Sequence, residues 1–214
     1  MNIINAGFEI LTPISKDVIY KQIEIAARTC YKSENKITDT SATNLVRNLV
    51  ARKHEAMLEH ASITVKIICD RGVSHEIVRH RVASYAQEST RYCNYSKNTF
   101  CNEVTVIKPC FWEETSPEYI AWKNACIQCE SAYFNLLDLG CSPQEARCVL
   151  PNSLKTEIVV TMNLREWRHF FQLRAADMTG PAHPQMKEIA VPLCRKFAEE
   201  LPEIFSDISE AIAD

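Results

Sequence analysis

Glycine is scarce in this sequence, with only 4 among 214 residues. Neither the G-x-G-x-x-G loop of dinucleotide-binding folds nor the phosphate-binding P-loop is present. A doubly wound sheet that binds nucleotides through such a loop is therefore disfavoured. Gly/Ser linkers, internal repeats and low-complexity tracts are also lacking, and we expect a single compact domain over residues 1–214.

An excess of basic charge is lacking as well, because the formal net charge is -3 and the isoelectric point is about 6.1. This balance argues against electrostatic binding of long nucleic acids. No apolar run is long enough to cross a bilayer, and the first residues lack the pattern of a secretion signal. We therefore expect a cytoplasmic protein with neither nucleic-acid nor membrane partners. Its 10 cysteines are then expected to stay reduced and to pack as small apolar side chains.

Apolar periodicity predicts helices and strands that interleave irregularly. Strands are expected at residues 3–11, 61–69, 104–107 and 156–162. Helices are expected at residues 16–31, 39–53, 164–176 and 185–205, the last interrupted at Pro192 and Pro202. A long helix is expected from Ser116 to near Gly140. Two more are expected to begin at a cap at Ser74 and at a capping box at Ser142. This order of elements predicts an α+β fold with a mixed sheet flanked by helices.

The segment from Arg79 to Tyr92, RHRVASYAQESTRY, is rich in groups that bind anions, with three arginines, a histidine and two serines. Arginine presents a planar fork that binds phosphate at two points, and serine hydroxyls add further donors. The segment therefore predicts a site for the phosphate group of a small molecule. The alternative that composition leaves open is a solvated, charged turn.

The order of residues in this segment is more specific than its composition. Arg79, His80 and Arg81, followed after seven residues by Ser89, match the signature RHRx7S. Further matching segments, in family order, are ARTCY from Ala27, KHEAMLEH from Lys53, EARCVLP from Glu145, TMNLREWRHFFQLR from Thr161 and HPQ from His183. On these segments the chain resembles the flavin-dependent thymidylate synthases.

The resemblance implies a reaction, a cofactor and an assembly. The substrate dUMP would be methylated to dTMP, with 5,10-methylenetetrahydrofolate as carbon donor and with FAD, reduced by NADPH, as the source of hydride. A cysteine nucleophile would take no part. A homotetramer whose active sites are shared between subunits is expected, and it would explain how FAD binds without a Rossmann loop.

The resemblance also assigns roles to residues of this chain. Arg174 would be the catalytic group that lies against the uracil ring and favours its ionisation at N3. The residues expected to bind dUMP are Glu76, Arg79, Gln87, Glu88, Ser89, Thr90, Arg91, Arg147 and Arg174. The residues expected to contact FAD are His54, Ala56, Glu59, Arg79, His80, Arg81, Gln87, Asn163, Arg165, His169 and His183.

Three features depart from the family pattern. Ala56 and Cys30 stand where the family frequently has a residue with a hydroxyl group, so each removes one expected hydrogen bond to FAD. The segment 175–182, AADMTGPA, is longer than the family spacing between Arg174 and His183. The HPQ sequence restores the register before the last helix.

Helix geometry sets Arg174 apart independently of the resemblance. At roughly 100° per residue it falls on the side of Trp167, Phe170 and Phe171, and a cation on an apolar face needs a partner. The alternative is a side chain that runs past the helix end into water. The opposite face carries polar residues, namely Arg165, His169 and Gln172. That face is expected to contact FAD, and the alternative is a helix face that meets only water.

Two groups of residues are candidates for a metal site. His54, Glu55, Glu59 and His60 offer imidazole and carboxylate ligands, and Cys126, Cys129, Cys141 and Cys148 imitate a four-cysteine zinc site. Neither group has the clear ligand pairs of zinc sites, so we expect no metal. A nucleotide- or RNA-binding module without catalysis, and a zinc- or thiol-dependent protein, remain the alternative functions.

Overall fold

The computed structural model describes residues 1–93, 95 and 102–212, and it combines helices with two sheets. The strands are β1 (Asn2–Ile4), β2 (Gly7–Ile10), β3 (Ser62–Asp70), β4 (Ala83–Gln87), β5 (Thr105–Ile107) and β6 (Lys155–Asn163). The helices are α1 (Lys16–Tyr31), α2 (Ser41–Ala51), α3 (Arg71–Ile77), α4 (Pro117–Asp138), α5 (Pro143–Ala146), α6 (Leu164–Arg174), α7 (Pro184–Glu200) and α8 (Pro202–Glu210). Turns of 3-10 helix span Glu34–Lys36, Glu55–His60 and Arg147–Val149. Among these described residues, none of the helices has the length and apolar character that crossing a bilayer requires.

The strands form a four-stranded sheet in the order β2-β3-β6-β4 and a parallel pair of β1 with β5. In the parallel pair, Asn2 lies opposite Thr105 and Ile4 lies opposite Ile107. The mixture of helices and sheets confirms the predicted α+β class. The single strand predicted at residues 3–11 is wrong, because this segment forms two strands that pair in different sheets.

The chain folds into two compact units. Unit 1 consists of Met1–Gly7, Ile67–Arg79 and Ala86–Ile158. Unit 2 consists of Phe8–Lys66, His80–Tyr85 and Val159–Asp214. Because each unit is assembled from three separate stretches of chain, no single point in the sequence divides them. A one-domain organisation over residues 1–214 stays a prediction.

Unit 1 is organised around α4, whose ends were predicted from capping residues. The Ser116 hydroxyl accepts a hydrogen bond from the Tyr119 backbone N–H at 3.2 Å, and Pro117 occupies the first turn. Gly140 follows the helix with a φ of 91°, a conformation that glycine adopts without strain. The buried core of this unit consists of Tyr95, Val104, Val106, Cys126, Tyr133, Ala146 and Leu154.

Unit 2 is organised around the buried aromatic face of α6. Trp167 and Phe171 each pack against Phe197 of α7, with ring centroids 5.3 and 5.2 Å apart. Phe171 also meets Phe205 of α8 at 5.7 Å. The Trp167 indole N–H donates to the backbone oxygen of Ile63 at 3.0 Å, so this buried polar group is satisfied. These contacts fix the orientation of α6 about its axis.

Several helix boundaries differ from the sequence prediction: α2 spans Ser41–Ala51 rather than 39–53, and α6 ends at Arg174 rather than at 176. The cap of α3 is Asp70, whose carboxylate accepts from the Val73 backbone N–H at 2.7 Å, whereas Ser74 lies inside the helix. Pro192 lies inside α7 without ending it. An internal proline costs about 3 kcal/mol, and burial of the Leu193 and Phe197 side chains of the same helix offsets that cost.

Candidate active site

The middle part of the arginine-rich segment is a strand rather than a charged turn. β4 lies at the edge of the four-stranded sheet beside β6, and its side chains alternate between half-buried and exposed positions. The sequence prediction missed this strand, because the apolar Ala86 is exposed and the polar Gln87 is half-buried, so burial along the strand has no matching hydrophobic alternation. Arg79 and the residues from Ala86 onward belong to unit 1, whereas His80–Tyr85 belong to unit 2.

In unit 1, the side-chain amide of Gln87 is held by two hydroxyl groups. Its Nε2 donates to Ser74 Oγ at 2.9 Å and to Thr156 Oγ1 at 3.2 Å. Ser74 and Thr156 are both buried. Because both contacts use the amide nitrogen, the amide oxygen of Gln87 is left to accept hydrogen bonds from another group.

Glu88 is held from three sides in the same unit. Its carboxylate accepts from Lys155 Nζ at 3.1 Å, its backbone N–H donates to Glu157 O at 2.8 Å, and its backbone oxygen accepts from Arg71 at 3.3 Å. Burial lowers the pKa of Lys155, but its contacts with Glu157 and Glu88 raise it more, so the net shift is upward. The ammonium therefore stays charged and fixes the start of the segment that follows β4.

Two arginines expected at the nucleotide, Arg91 and Arg147, are exposed and contact uncharged partners. Arg91 Nε donates to the Gln144 side-chain oxygen at 3.1 Å, and Arg147 donates to Thr90 Oγ1 at 3.2 Å. The Ser89 hydroxyl accepts from the Arg91 backbone N–H at 3.3 Å. Neutral acceptors orient the guanidinium groups without neutralising them, so their charge stays available to an anion.

Glu76 and Arg79 lie at the C-terminal end of α3. Glu76 is half-buried and Arg79 is exposed, with the Arg79 backbone N–H donating to Glu76 O at 3.3 Å. Of the residues expected to bind dUMP, all except Arg174 therefore belong to unit 1.

In unit 2, the ring of His80 is only 4% exposed and is held at both nitrogens. Its Nδ1 lies 3.1 Å from Glu166 Oε1, and its Nε2 accepts from Arg174 Nε at 3.3 Å. The edge of Phe170 packs on the ring with centroids 5.0 Å apart. The backbone oxygen of His80 accepts a hydrogen bond from the Tyr85 hydroxyl. The imidazole is therefore fixed in position and in rotation.

The protonation state of His80 follows from these contacts. Burial, together with the charges of Arg174 and His169, lowers its pKa to about 4, so the ring is neutral at pH 7. An arginine can only donate, which assigns Nε2 as acceptor and places the proton on Nδ1, facing Glu166. Burial raises the pKa of Glu166. Asn163 caps α6 by accepting from the Glu166 backbone N–H at 2.9 Å, which fixes the backbone at this position.

Arg174 lies half-buried in the last turn of α6, and a short closed loop follows it. Asp177 adopts a φ of 54°, and its carboxylate accepts from the Ala182 backbone N–H at 2.9 Å and from Lys187 Nζ at 2.5 Å. These contacts close the segment 175–182 onto the start of α7. The extra residues between Arg174 and His183 therefore form a compact turn.

Several residues expected to contact FAD line one cavity of about 330 Å³ in unit 2. The expected residues in its wall are Glu59, Asn163, Arg165 and His169. Val82, Glu55, Glu166 and Gln172 complete the lining. Arg165 and Glu59 form an exposed ion pair of 2.5 Å across this wall. The polar face predicted for α6 thus borders a cavity.

His54 and Ala56 line a second, mostly apolar cavity of about 330 Å³, together with Cys30, Tyr31 and Met57 among others. The two positions where the chain lacks the family hydroxyl, Ala56 and Cys30, therefore share one cavity. Arg81 and His183 are both exposed, and His183 immediately precedes α7.

One group of three potential metal ligands occurs within the described part of the chain, formed by His80, Glu166 and His169, with ligand atoms within 4.8 Å of one another. The guanidinium of Arg174, in contact with His80, opposes binding of a cation there. Neither group of metal-ligand candidates from the sequence is brought together in these described residues. Cys126 lies in the core of unit 1.

Comparison with known proteins identifies the family. Residues 17–203 match the family model described as thymidylate synthase complementing protein. A flavin-dependent thymidylate synthase of Geobacter sulfurreducens is 35% identical over 192 residues, which cover 86% of this chain and 80% of that protein. One of Mycolicibacterium gilvum is 36% identical over 212 residues, covering 90% of this chain and 81% of that protein. The chain belongs to the flavin-dependent thymidylate synthase family.

The fold agrees with that membership. The crystal structure of a UMP/dUMP methylase, PolB from Streptomyces cacaoi bound with 5-Br dUMP, superposes with a TM-score of 0.77. The match covers 99% of this chain and 96% of that chain at 24% sequence identity. At this identity the likeness supports the fold alone.

The donors around the two cavities fit the cofactor of the family. The guanidinium of Arg165 suits a pyrophosphate, while Asn163 and His169 offer hydrogen-bonding groups to a flavin or a ribose. Neither cavity is large enough to enclose a whole dinucleotide. Four residues that hold the expected ligands were not among the predicted site residues, namely Ser74, Lys155, Thr156 and Glu166. Polar residues in buried strand and helix positions were the available signal.

Proposed function

We propose that this protein methylates dUMP to dTMP with 5,10-methylenetetrahydrofolate, FAD and NADPH, as a flavin-dependent thymidylate synthase. The observation that carries the proposal is the family match over residues 17–203, which includes the arginine-rich segment. The anion-binding residues of unit 1 and the cavities of unit 2 support it from the geometry.

We assign the binding of dUMP to the residues of unit 1, together with Arg174. Arg91 and Arg147 are exposed cations with neutral partners, as a phosphate dianion requires. Gln87 presents an amide whose orientation is fixed by Ser74 and Thr156. The remaining residues of this set are Glu76, Arg79, Glu88, Ser89 and Thr90.

Arg174 is assigned the chemical role on the substrate. A guanidinium is charged at every working pH, and beside uracil it stabilises negative charge that develops when N3 loses its proton. The electron density at the carbon to be alkylated then rises. A mechanism of this kind uses no cysteine nucleophile. Burial raises the pKa of Cys69 to about 12, of Cys126 to about 11 and of Cys194 to about 12, so these three thiols stay protonated at pH 7.

FAD is assigned to the residues around the two cavities that the expected FAD ligands line in unit 2, and to Arg79 and Gln87. When bound, the reduced flavin supplies the hydride. Residues around these cavities would orient the cofactor. Those in the first cavity are Glu59, Asn163, Arg165 and His169, and those in the second are His54 and Ala56. Arg81, His80 and His183 complete the proposed set.

We further propose a cytoplasmic homotetramer with shared active sites. The two cavities that the expected FAD ligands line are separate and measure about 330 Å³ each, and a residue set divided in this way suits a site that another subunit completes. Val82, which borders one cavity, is 63% exposed and apolar, as suits a residue covered by a partner.

The decisive test is release of tritium from dUMP labelled at C5. Release is expected only when FAD, NADPH and the folate are all supplied, and the purified protein with FAD should be yellow. Omitting each component in turn is the control. A colourless protein that takes up no added FAD and releases no tritium would contradict the proposal.

A further inference from the structure

We propose that Glu166 and His80 are positioning residues for Arg174: Glu166 fixes the tautomer of His80, and His80 fixes the guanidinium of Arg174. This inference rests on the proposed function, in which Arg174 acts on uracil. It gives His80 a role other than the flavin contact implied by the resemblance.

The geometry of α6 brings the three side chains together. Glu166 lies in its first turn and Arg174 in its last, while His80 comes from the segment before β4. Helical side chains lean toward the N-terminus, so the Arg174 side chain extends back along α6, where its Nε meets His80 Nε2 at 3.3 Å. On the other side of the ring, Nδ1 meets Glu166 Oε1 at 3.1 Å. The imidazole therefore links the two ends of one helix.

Only one tautomer of His80 satisfies both contacts. With the proton on Nδ1, the ring donates to Glu166 and accepts from Arg174. With the proton on Nε2, the His80 Nε2–H would face the Arg174 Nε–H, two donors with no acceptor. On the other side, the bare Nδ1 would face the Glu166 carboxylate, two acceptors with no donor. In a ring that is 4% exposed, such mismatched groups cannot turn to water for compensation. The Glu166 carboxylate and the Arg174 guanidinium therefore select the same tautomer, and Glu166 supplies the acceptor that keeps the buried Nδ1–H satisfied.

This arrangement holds the Arg174 side chain without placing the Glu166 carboxylate in direct contact with it. A neutral imidazole orients the Arg174 guanidinium without adding a negative charge beside it, and the carboxylate that fixes the imidazole is one ring away. Edge contact with Phe170 at 5.0 Å holds the ring between the two partners.

Two substitutions of His80 separate positioning from other roles. In His80→Gln, the side-chain oxygen can take the place of Nε2 and accept from Arg174. In His80→Asn, the shorter amide can meet Glu166 but not Arg174. We expect kcat to fall less than about 10-fold in His80→Gln and about 100-fold in His80→Asn, because a small misplacement of a catalytic group has an effect of this size. The KM for dUMP should change less than kcat in both.

The FAD content of both variants, read from the flavin absorbance, separates this role from a flavin contact. Equal FAD retention with unequal kcat supports positioning. If both variants lose FAD equally and show the same kcat, the positioning role is overturned. Thermal unfolding shows whether each variant folds. If a His80 variant does not fold, the NMR measurement of the His80 tautomer described below tests the positioning role instead.

The tautomer can be measured without activity. In ¹⁵N NMR of the histidine ring, the wild-type protein should carry the proton of His80 on Nδ1. Glu166→Gln keeps an acceptor oxygen and should preserve this state. Glu166→Leu leaves the buried Nδ1–H without an acceptor, so the proton should become shared with Nε2, which weakens the contact with Arg174 and should reduce kcat about 100-fold. An unchanged tautomer in Glu166→Leu would overturn the proposal. If wild-type protein releases no tritium from dUMP, the proposed function fails, while the tautomer is still decided by NMR.

Discussion

The two units hold their candidate ligands in different ways. In unit 1, Arg91 and Arg147 are exposed and contact an amide and a hydroxyl group. In unit 2, His80 is buried between a carboxylate and a guanidinium, and its pKa and that of Glu166 are shifted by burial. One unit thus presents permanent charge to solvent, whereas the other holds ionisable groups away from water.

The difference matches two tasks. A phosphate keeps its charge throughout a reaction, so its ligands need only permanent cations at the right spacing. The uracil ring becomes negatively charged when its N3 loses a proton. A charged group that is fixed away from water stabilises this new charge more strongly than an exposed group does. Substitutions in unit 1 should therefore act on substrate affinity, and those around His80 on turnover and pH dependence.

The largest effect is expected from Arg174→Ala. Removing the group that stabilises charge on the reacting ring should lower kcat by about 10³-fold, as loss of one such donor does in other enzymes. Steady-state tritium release from dUMP measures this. Arg174→Lys keeps the charge but loses the planar fork, and it should fall between wild type and alanine. Near-normal turnover by Arg174→Ala would remove its catalytic assignment and much of the contrast between the units.

The next effect concerns acid stability. A neutral His80 in the folded state, with its pKa lowered to about 4, takes up its proton more readily after unfolding, where the ordinary value is about 6.5. Its contribution to stability is complete above pH 6.5 and is lost as the pH falls toward 4, by about 3 kcal/mol in total. The titratable and charged groups that face the ring are Glu166, His169 and Arg174 from α6, while the Tyr85 hydroxyl donates to the backbone oxygen of His80.

Urea unfolding at pH 7.5 and at pH 4.5 tests this expectation. The free energy of unfolding should fall more steeply on acidification in wild type than in His80→Gln, which has no imidazole to protonate. Arg91→Ala in unit 1 serves as control and should show the wild-type slope. Equal slopes in wild type and His80→Gln would show that burial does not hold this histidine neutral.

Local sequence signals predicted much of the fold. The bounds of α1 match the predicted helix at 16–31, and Ser116, Pro117 and Gly140 correctly marked the ends of α4. The errors share a physical cause, which is that tertiary packing overrides local preference. Pro192 is tolerated because α7 buries its apolar face. The strand predicted at 3–11 divides because its halves pair with different partners.

The candidate site was predicted less completely than the fold. Motif spacing named the candidate ligands, such as Arg91 and His80, but not the residues that hold them. Glu166 lies 86 residues from His80, and Thr156 lies 69 residues from Gln87. Hydrogen bonds between residues so far apart in the chain leave no periodic signal in one sequence. They become visible only when the fold brings the partners together.

A smaller effect is expected from Arg91→Ala. Loss of a charge-assisted hydrogen bond to phosphate removes about 1.5–3 kcal/mol, which raises the KM for dUMP roughly 10- to 150-fold. The kcat should stay within about 3-fold of wild type, since this contact is the same in the ground state and the transition state. Arg52→Ala, an exposed arginine at the end of α2, is the control and should leave KM unchanged. A fall in kcat with unchanged KM would assign Arg91 to the chemical step.

The smallest effect concerns a charge in unit 2 that is not buried. Arg165 and Glu59 are 53% and 45% exposed, so their ion pair should contribute less than about 1 kcal/mol to stability despite its 2.5 Å length. A double-mutant cycle with Arg165→Gln and Glu59→Gln measures the coupling. Arg168, three residues along α6, is the matched control, because it is buried and pairs with Glu55 and Asp207. Because the guanidinium is buried although the Asp207 carboxylate is 54% exposed, removing its carboxylate partners should cost more than loss of the exposed pair, up to about 3–5 kcal/mol. A coupling energy of the Arg165 pair as large as the cost at Arg168 would show that solvent exposure does not weaken ion pairs in this protein.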